Sequence, residues 1–228
     1  MAWWHWSGTL RVSFAAMLKI KADDRYVLLH TPSRPGTFSP PGGVFKFFPP
    51  AERLLEEMGF REDRIDLFAE DMRFDLRGFI PAAATRDFCR WFAGGAYRED
   101  ATECLRRELG EELAESGLES LVPFARQLSF TPVRTVSAGP YPVPGRPYRQ
   151  LRGLVVCELV MSDAAAQRLS TELVHAGADD AVPSVICATA ADISYGRAGV
   201  AMIAAHAAYL VGTKRIHQDI PAMRRKAE

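Results

Sequence analysis

Three glutamates near the middle of the chain, Glu108, Glu111 and Glu112, are spaced i, i+3 and i+4 within EDATECLRRELGEEL, Glu99 to Leu113. On a helix that spacing puts all three carboxylates on one face, within about 6 Å of each other. Like charges so close repel and weaken the helix that carries them. A hard cation turns the penalty into a binding site, because Mg2+ takes carboxylate oxygens and keeps several waters for a substrate phosphate. Arg107, directly before the cluster, is placed to orient one carboxylate through a two-pronged hydrogen bond. The competing reading is a solvated acidic face, the commoner fate of such a run. Against it, Cys104, Leu105, Leu109 and Leu113 already supply the apolar stripe, so the acids form a separate face.

The elements around this helix must position it. Leu10 to Ile20 and Tyr26 to His30, rich in β-branched and aromatic residues around Asp23-Asp24, read as two strands and a hairpin turn. In FSPPGGVFKFF, Phe38 to Phe48, Gly42 and Gly43 either bring backbone close to a ligand or turn a corner. Lys46 and Arg34 flank this glycine loop. A lysine beside exposed backbone N–H groups suits a phosphate, and an ordinary surface lysine is the equal alternative. Ala51 to Met58 reads as a short helix ended by Gly59, and Asp71 to Ile80 and Arg86 to Phe92 read as strands. After the acidic helix, which Gly117 stops, Leu121 to Phe130 and Arg152 to Met161 read as strands joined by a long Pro- and Gly-rich loop. Phe130, Arg134, Tyr141, Tyr148 and Arg149 border that loop, where a ring can stack on a base and an arginine can bind a second phosphate. Core or surface roles are commoner for any one of them. Ser162 caps a helix from Asp163, Ala198 to Gly212 reads as a C-terminal core helix, and a basic end begins at Arg224. Strands, helix, strands and helix in that order suggest an α/β layer fold.

The chain has 228 residues, 48% of them apolar, enough for a full core in one large domain or a domain with an insertion. Its 28 basic and 28 acidic residues cancel, so an anionic ligand is drawn by local charge, which argues against coating of genomic nucleic acid. Cys89, Cys104, Cys157 and Cys187 show no CxxC pair and no His at metal-finger spacing. They read as buried thiols of a reducing, cytoplasmic compartment. The opening MAWWHWSG is not a secretory signal. Its Trp3, Trp4 and Trp6 suit a membrane interface or a partner surface, with packing on the chain's own core the commoner outcome. The longest apolar stretch, about 15 residues including His206, falls short of the roughly 20 needed for a membrane span. His175 and His206 read as structural, since no GxSxG nucleophile motif accompanies them.

Arg107 to Glu112 spells RE-Leu-x-EE, which resembles the core of the Nudix box, G-x5-E-x7-R-E-U-x-E-E-x-G-U with U an aliphatic residue. Glu99 stands eight positions before Arg107, as the box requires. Two positions depart. Ala93 stands where the first glycine belongs, with Gly94 and Gly95 beside it, and Ala114 replaces the second. Gly42-Gly43 in PPGGVFKF looks like the opening of the box displaced upstream, implying an insertion of about 50 residues between the glycine loop and the catalytic helix. With RVSFAAMLKI before it, this split box resembles the SMODS-associated Nudix branch of bacterial anti-phage islands that use cyclic-oligonucleotide signalling, over roughly residues 10 to 160. Members of that branch often carry membrane helices ahead of the domain, and no span is expected within this chain. A second EExG run, AERLLEEMG from Ala51 to Gly59, fails the box register, so Glu56 and Glu57 read as a solvated face.

The resemblance implies a Nudix-like α/β/α sandwich with a mixed sheet. It implies a single domain over 1–228, with an insertion at about 50–98 and a C-terminal helical segment at about 163–228. Glu108, Glu111 and Glu112, with Gly43, would hold Mg2+, for which Mn2+ is the alternative, and Arg107 would order the glutamates. Either Glu111 or Glu112 would help deprotonate the attacking water. Gly42, Gly43, Lys46, Arg34 and Arg134 are the expected substrate contacts. The implied activity is Mg2+-dependent hydrolysis of a pyrophosphate bond in a nucleoside diphosphate linked to another group. ADP-ribose, dinucleotide cofactors, nucleoside triphosphates and oligonucleotides all stay open as substrates. Two rivals stand beside it: a nucleotide-sensing module that has lost turnover, and an interaction subunit using the Trp-rich start and the proline loop. Surfaces of such folds often pair, which leaves room for a homodimer.

Overall fold

A computed structural model describes residues 7–63 and 73–212. The expectations on Trp3, Trp4 and Trp6, on the start of the strand at Asp71 and on the basic end from Arg224 fall outside these residues. In chain order the elements are β1 (Thr9–Lys19), β2 (Lys21–Ala22), β3 (Arg25–His30), β4 (Thr37–Ser39), α1 (Glu52–Glu57), β5 (Arg61–Glu62), β6 (Arg77–Pro81), α2 (Thr85–Gly94) and α3 (Ala101–Glu115). There follow α4 (Val122–Ala125), β7 (Phe130–Pro142), β8 (Tyr148–Leu159), α5 (Ala164–Ala176), β9 (Val185–Thr189), α6 (Ala190–Tyr195), β10 (Arg197–Ala198), β11 (Ala201–Ile203) and α7 (Ala208–Val211). The fold is mixed α/β, consistent with the Nudix-like α/β/α class. The chain divides into two compact units. One comprises the described residues within 1–16, 43–104 and 134–155, the other those within 17–42, 105–133 and 156–228.

The first unit is organised by a sheet of order β5-β6-β1-β8-β7. Leu10, Val12 and Phe14 of β1 and Ile80 of β6 are buried while their sequence neighbours are not, the two-residue period of a half-covered strand. Rings from α2 cover that side: Phe14 meets Phe88 edge-on at 5.3 Å and Phe92 at 4.4 Å. Residues 86–92 were expected as a strand and form a helix instead. Thr85, Phe88 and Trp91 recur every three residues and are the buried ones, with Arg86, Asp87 and Arg90 outward, and that period is helical. The expected proline loop is likewise shorter than its composition suggests, because β7 and β8 leave only residues 143–147 between them. β7 is the edge strand, where Pro132, Pro140 and Pro142 sit in a strand without a ladder to break on the outer side.

The second unit holds a sheet of order β10-β11-β4-β3-β2, with β9 also paired to β3. β11 runs parallel to β4 while β3 is antiparallel to β4 and β9, so this sheet is mixed. Tyr26, Val27, Leu28 and Leu29 are all buried, the continuous apolar run of a strand covered on both faces. Leu121 to Phe130, expected as a strand, contains a 3-10 turn and α4, since Pro123 suits a first helical turn and not a ladder. The cap of α5 is Asp163, accepting from Ala165 N–H at 2.8 Å, and not the expected Ser162. Ala198 to Gly212 is not one helix. It pairs through β10 and β11 before two short helical turns, because Gly199 turns the chain with φ +56°.

Thr189 and Asp192 close a reciprocal capping box at the start of α6. These hydrogen bonds from Thr189 hold the Asp192 carboxyl below its ordinary value of 3.8. The stability this adds is therefore present above the ordinary value and lost as pH falls through the lower folded-state one. Urea titrations are expected to find Asp192→Ala less stable than the parent chain at pH 7, by at most about 1 kcal/mol after screening by solvent, and the two to converge in strong acid.

Candidate functional site

The site is built on α3. Cys104, Leu105, Leu109 and Leu113 are fully buried on one stripe, which fixes the helix and leaves its acids on other faces. Arg107 Nη1 donates to Glu108 Oε1 at 2.7 Å and lies 3.6 Å from Glu111 Oε2. Glu108 keeps 18% of its side chain exposed and Glu111 keeps 56%, so Glu111 is the most open acid of the pair. Glu112 takes a different partner. Its Oε2 accepts the Gly42 N–H at 2.8 Å, across 70 residues of sequence. Gly42 has φ +125°, a region open to glycine and closed to side chains with a Cβ. The glycine loop and the acidic helix therefore meet through a backbone donor and a carboxylate.

Burial pushes the Glu112 carboxyl well above the usual carboxylate range. The Gly42 N–H pulls it down, and the charges of Glu108, Glu115 and Glu111 push it up again. Glu115, not singled out from the sequence, thus belongs to the same field; its i+3 spacing from Glu112 and i+4 from Glu111 is the signal that marks it. Among the described residues no three acidic, His or Cys side chains stand converged as a ready cation cage. Arg107 bridges Glu108 and Glu111, and Gly42 holds Glu112. The donor set itself is all carboxylate oxygen and of the kind Mg2+ accepts.

In the first unit, Glu99 ties the end of the glycine loop to the residues that lead into α3. Its Oε2 accepts the Lys46 N–H at 2.8 Å, and its own N–H donates to Lys46 O at 2.9 Å. Phe47 bridges Arg98, and Phe48 N–H donates to Tyr97 O at 2.8 Å. The chain that leaves after Phe48 thus returns at Tyr97 alongside its point of departure. Arg98 braces the return: its Nε and Nη2 donate to Phe92 O, its Nη1 donates to Glu99 O, and its guanidinium lies 4.0 Å from the centre of the Phe92 ring. Glu99 is 7% exposed, so Glu99→Ala would leave the Lys46 N–H without this acceptor in a half-buried place. The expected cost is about 1–3 kcal/mol by chemical denaturation, with Glu99→Gln losing less because its amide oxygen still accepts.

Gly43 O accepts the Ala16 N–H at 2.9 Å and a contact from Cys104 Sγ at 3.5 Å. Arg34 lies in the turn between β3 and β4, where its N–H donates to Thr31 O at 2.9 Å. Arg134 is half-buried on β7. Arg34, Gly42, Arg107, Glu108, Glu111 and Glu112 belong to the second unit, and Gly43, Lys46 and Arg134 to the first. Within the second unit the structure joins Arg107 to Glu108 and Glu111, and Gly42 to Glu112. In α1, Glu56 and Glu57 are exposed, Glu57 pairing with Arg53 at 3.0 Å, a solvated face. All four cysteines are free, with Cys104 and Cys157 buried but Cys89 and Cys187 only half-buried. No helix among the described residues is long and apolar enough to cross a membrane.

A family model described as the SMODS-associated NUDIX domain matches residues 9–211. No curated protein and no solved structure gives a significant match.

Proposed function

Because the chain belongs to the SMODS-associated NUDIX domain family, whose general chemistry is hydrolysis of phosphoric anhydrides in nucleotide-like compounds, we propose that it cleaves the pyrophosphate bond of a nucleoside diphosphate linked to another group. The observation that carries this reading is the Gly42 N–H to Glu112 bond, which brings a glycine corner to the acidic face of α3. Residues 50–98 are an insertion in this reading, supported by the pairing of Lys46, Phe47 and Phe48 with Glu99, Arg98 and Tyr97.

Glu108, Glu111 and Glu112 would hold Mg2+, or Mn2+ in its place, once Arg107 and Gly42 share them. A bound divalent ion supplies neutralisation of the bridging phosphate charge and acidifies a water. Arg107 keeps Glu108 and Glu111 from repelling each other apart. Glu111 or Glu112 accepts the proton as the water oxygen attacks one phosphorus and the bridging P–O bond breaks, leaving two phosphate esters. The backbone at Gly42 and Gly43, together with Lys46, Arg34 and Arg134, would contact the phosphates. A cytoplasmic role in anti-phage defence is part of the proposal and rests on the resemblance drawn from the sequence alone.

A release assay over ADP-ribose, dinucleotide cofactors and nucleoside triphosphates, with Mg2+, Mn2+ or EDTA, tests it. Metal-dependent appearance of two phosphate monoesters from at least one diphosphate-linked nucleotide is the expected result, and no product from the whole panel would count against it. One observation favours a second reading, a nucleotide sensor without turnover: the acids are paired with Arg107 and Gly42 instead of converging. Tight calorimetric binding of a nucleotide that is never cleaved would select the sensor.

A further inference from the structure

The first unit carries a charged sheet face that the acidic helix does not use. In its antiparallel ladder Arg61 and Arg11 both lie opposite Phe79, from either side, and Ser13 lies opposite Arg77. Residues directly opposite share a face, as do residues two apart along a strand. Arg11, Arg61, Arg77 and Phe79 therefore lie on the side away from the buried Leu10, Val12 and Ile80. From β8, the Tyr148 ring meets Phe79 with centroids 5.2 Å apart. Two residues on, the Gln150 amide, oriented by its two arginine donors, turns its oxygen to accept from Arg11 Nη1 at 2.9 Å and from Arg152 Nε at 3.0 Å. Asp63 lies 2.6 Å from Arg11 Nε, and Asp75 lies 3.9 Å from Arg77 Nη2. Four guanidinium groups thus lie around two half-buried rings, two of them beside a carboxylate. The next row, Thr9 opposite Pro81, opens into a cavity of about 460 Å³ that Arg61 also lines.

A sheet face that meets only water needs neither rings nor a row of arginines. Rings on an open sheet offer stacking platforms for unpaired bases, and arginines among them bind phosphodiesters in a planar, forked geometry. With no net charge on the chain, the attraction must come from this local array. We propose that this arginine- and ring-bearing face of the first unit binds a single-stranded oligonucleotide, with bases on Phe79 and Tyr148 and phosphodiesters on Arg11, Arg61, Arg77 and Arg152, separately from the chemistry of α3.

Fluorescence anisotropy of a labelled twelve-nucleotide oligothymidylate, titrated with the full chain in EDTA, tests this without metal or hydrolysis. Saturable binding at low salt is expected. Arg61→Ser combined with Arg77→Ser should weaken it about tenfold or more and reduce the slope of log affinity against log salt by about 1.4, two phosphate contacts on a single strand. Phe79→Leu should weaken it about tenfold with the slope unchanged, because stacking and not charge is lost. Glu111→Gln should bind as the parent does, and a blunt duplex of equal length should bind more weakly than the single strand. Thermal unfolding of each variant establishes that it is folded. Absence of saturable binding, binding unmoved by both sets of substitutions, or equal competition by tripolyphosphate or polyglutamate would overturn the proposal.

Discussion

Glu112→Gln is expected to lower turnover by roughly 10²- to 10⁴-fold while leaving the protein at least as stable as before. The two shifts have different causes. Glutamine keeps the shape of the side chain and an oxygen to accept the Gly42 N–H, so the glycine corner stays attached to α3. What it removes is the charge, and with it both a ligand for a divalent ion and a proton acceptor for the attacking water. Removing that charge also relieves burial and the repulsion of Glu108, Glu115 and Glu111, which raise the Glu112 pKa. A carboxyl whose folded pKa is raised is ionised at a cost in the folded state, so the neutral amide should hold or raise the midpoint of thermal unfolding. Steady-state kinetics on a cleaved nucleotide, paired with calorimetric melting, reads both. Glu111→Gln should show the same loss of turnover without the gain in stability, since Glu111 is the more exposed group. Full activity in both variants would remove these residues from the proposed mechanism.

The helix that carries these acids was legible because two periods coincide in it: an apolar stripe at Cys104, Leu105, Leu109 and Leu113, and acids on the remaining face. Motif spacing predicts a split between Gly43 and Glu99 because it names both ends of the interval. What no spacing discloses is a contact such as Gly42 with Glu112, 70 residues apart, because the intervening fold and not the local pattern brings them together. The misread elements share a cause. In residues 86–92 aromatic residues suggest a strand by type, while Phe88 and Trp91 obey a helical period that tertiary packing on Phe14 rewards. Prolines in β7 suggest a loop, yet an edge strand tolerates them. In residues 198–212 the alanines favour a helix, but Gly199 and the pairing of β11 with β4 take the first half into the sheet.

Phe88→Ala is expected to destabilise the chain by about 3–5 kcal/mol, the range for emptying a buried phenylalanine site. The ring is fully buried and is the point where three others meet: Phe14 at 5.3 Å, Trp91 at 5.7 Å and Phe60, stacked, at 5.8 Å. Trp91 Nε1, buried beside it without a hydrogen-bond partner among the described residues, already makes this cluster dependent on packing. Truncation would remove both the transferred apolar surface and the ring-on-ring contacts. Phe88→Leu, closer in volume, should cost roughly half as much or less. Urea titration followed by tryptophan fluorescence measures both, and a loss below 1 kcal/mol for the alanine variant would show that the cluster does not support the unit. Phe88 lies within residues 50–98, so the result also bears on what that segment is for. A segment that packs Phe88 and Phe92 onto β1 is a wall of the first unit's core, and replacing it with a short Gly-Ser linker should cost far more than any loop closure restores, leaving a chain that does not fold even though Lys46 and Glu99 remain available to pair.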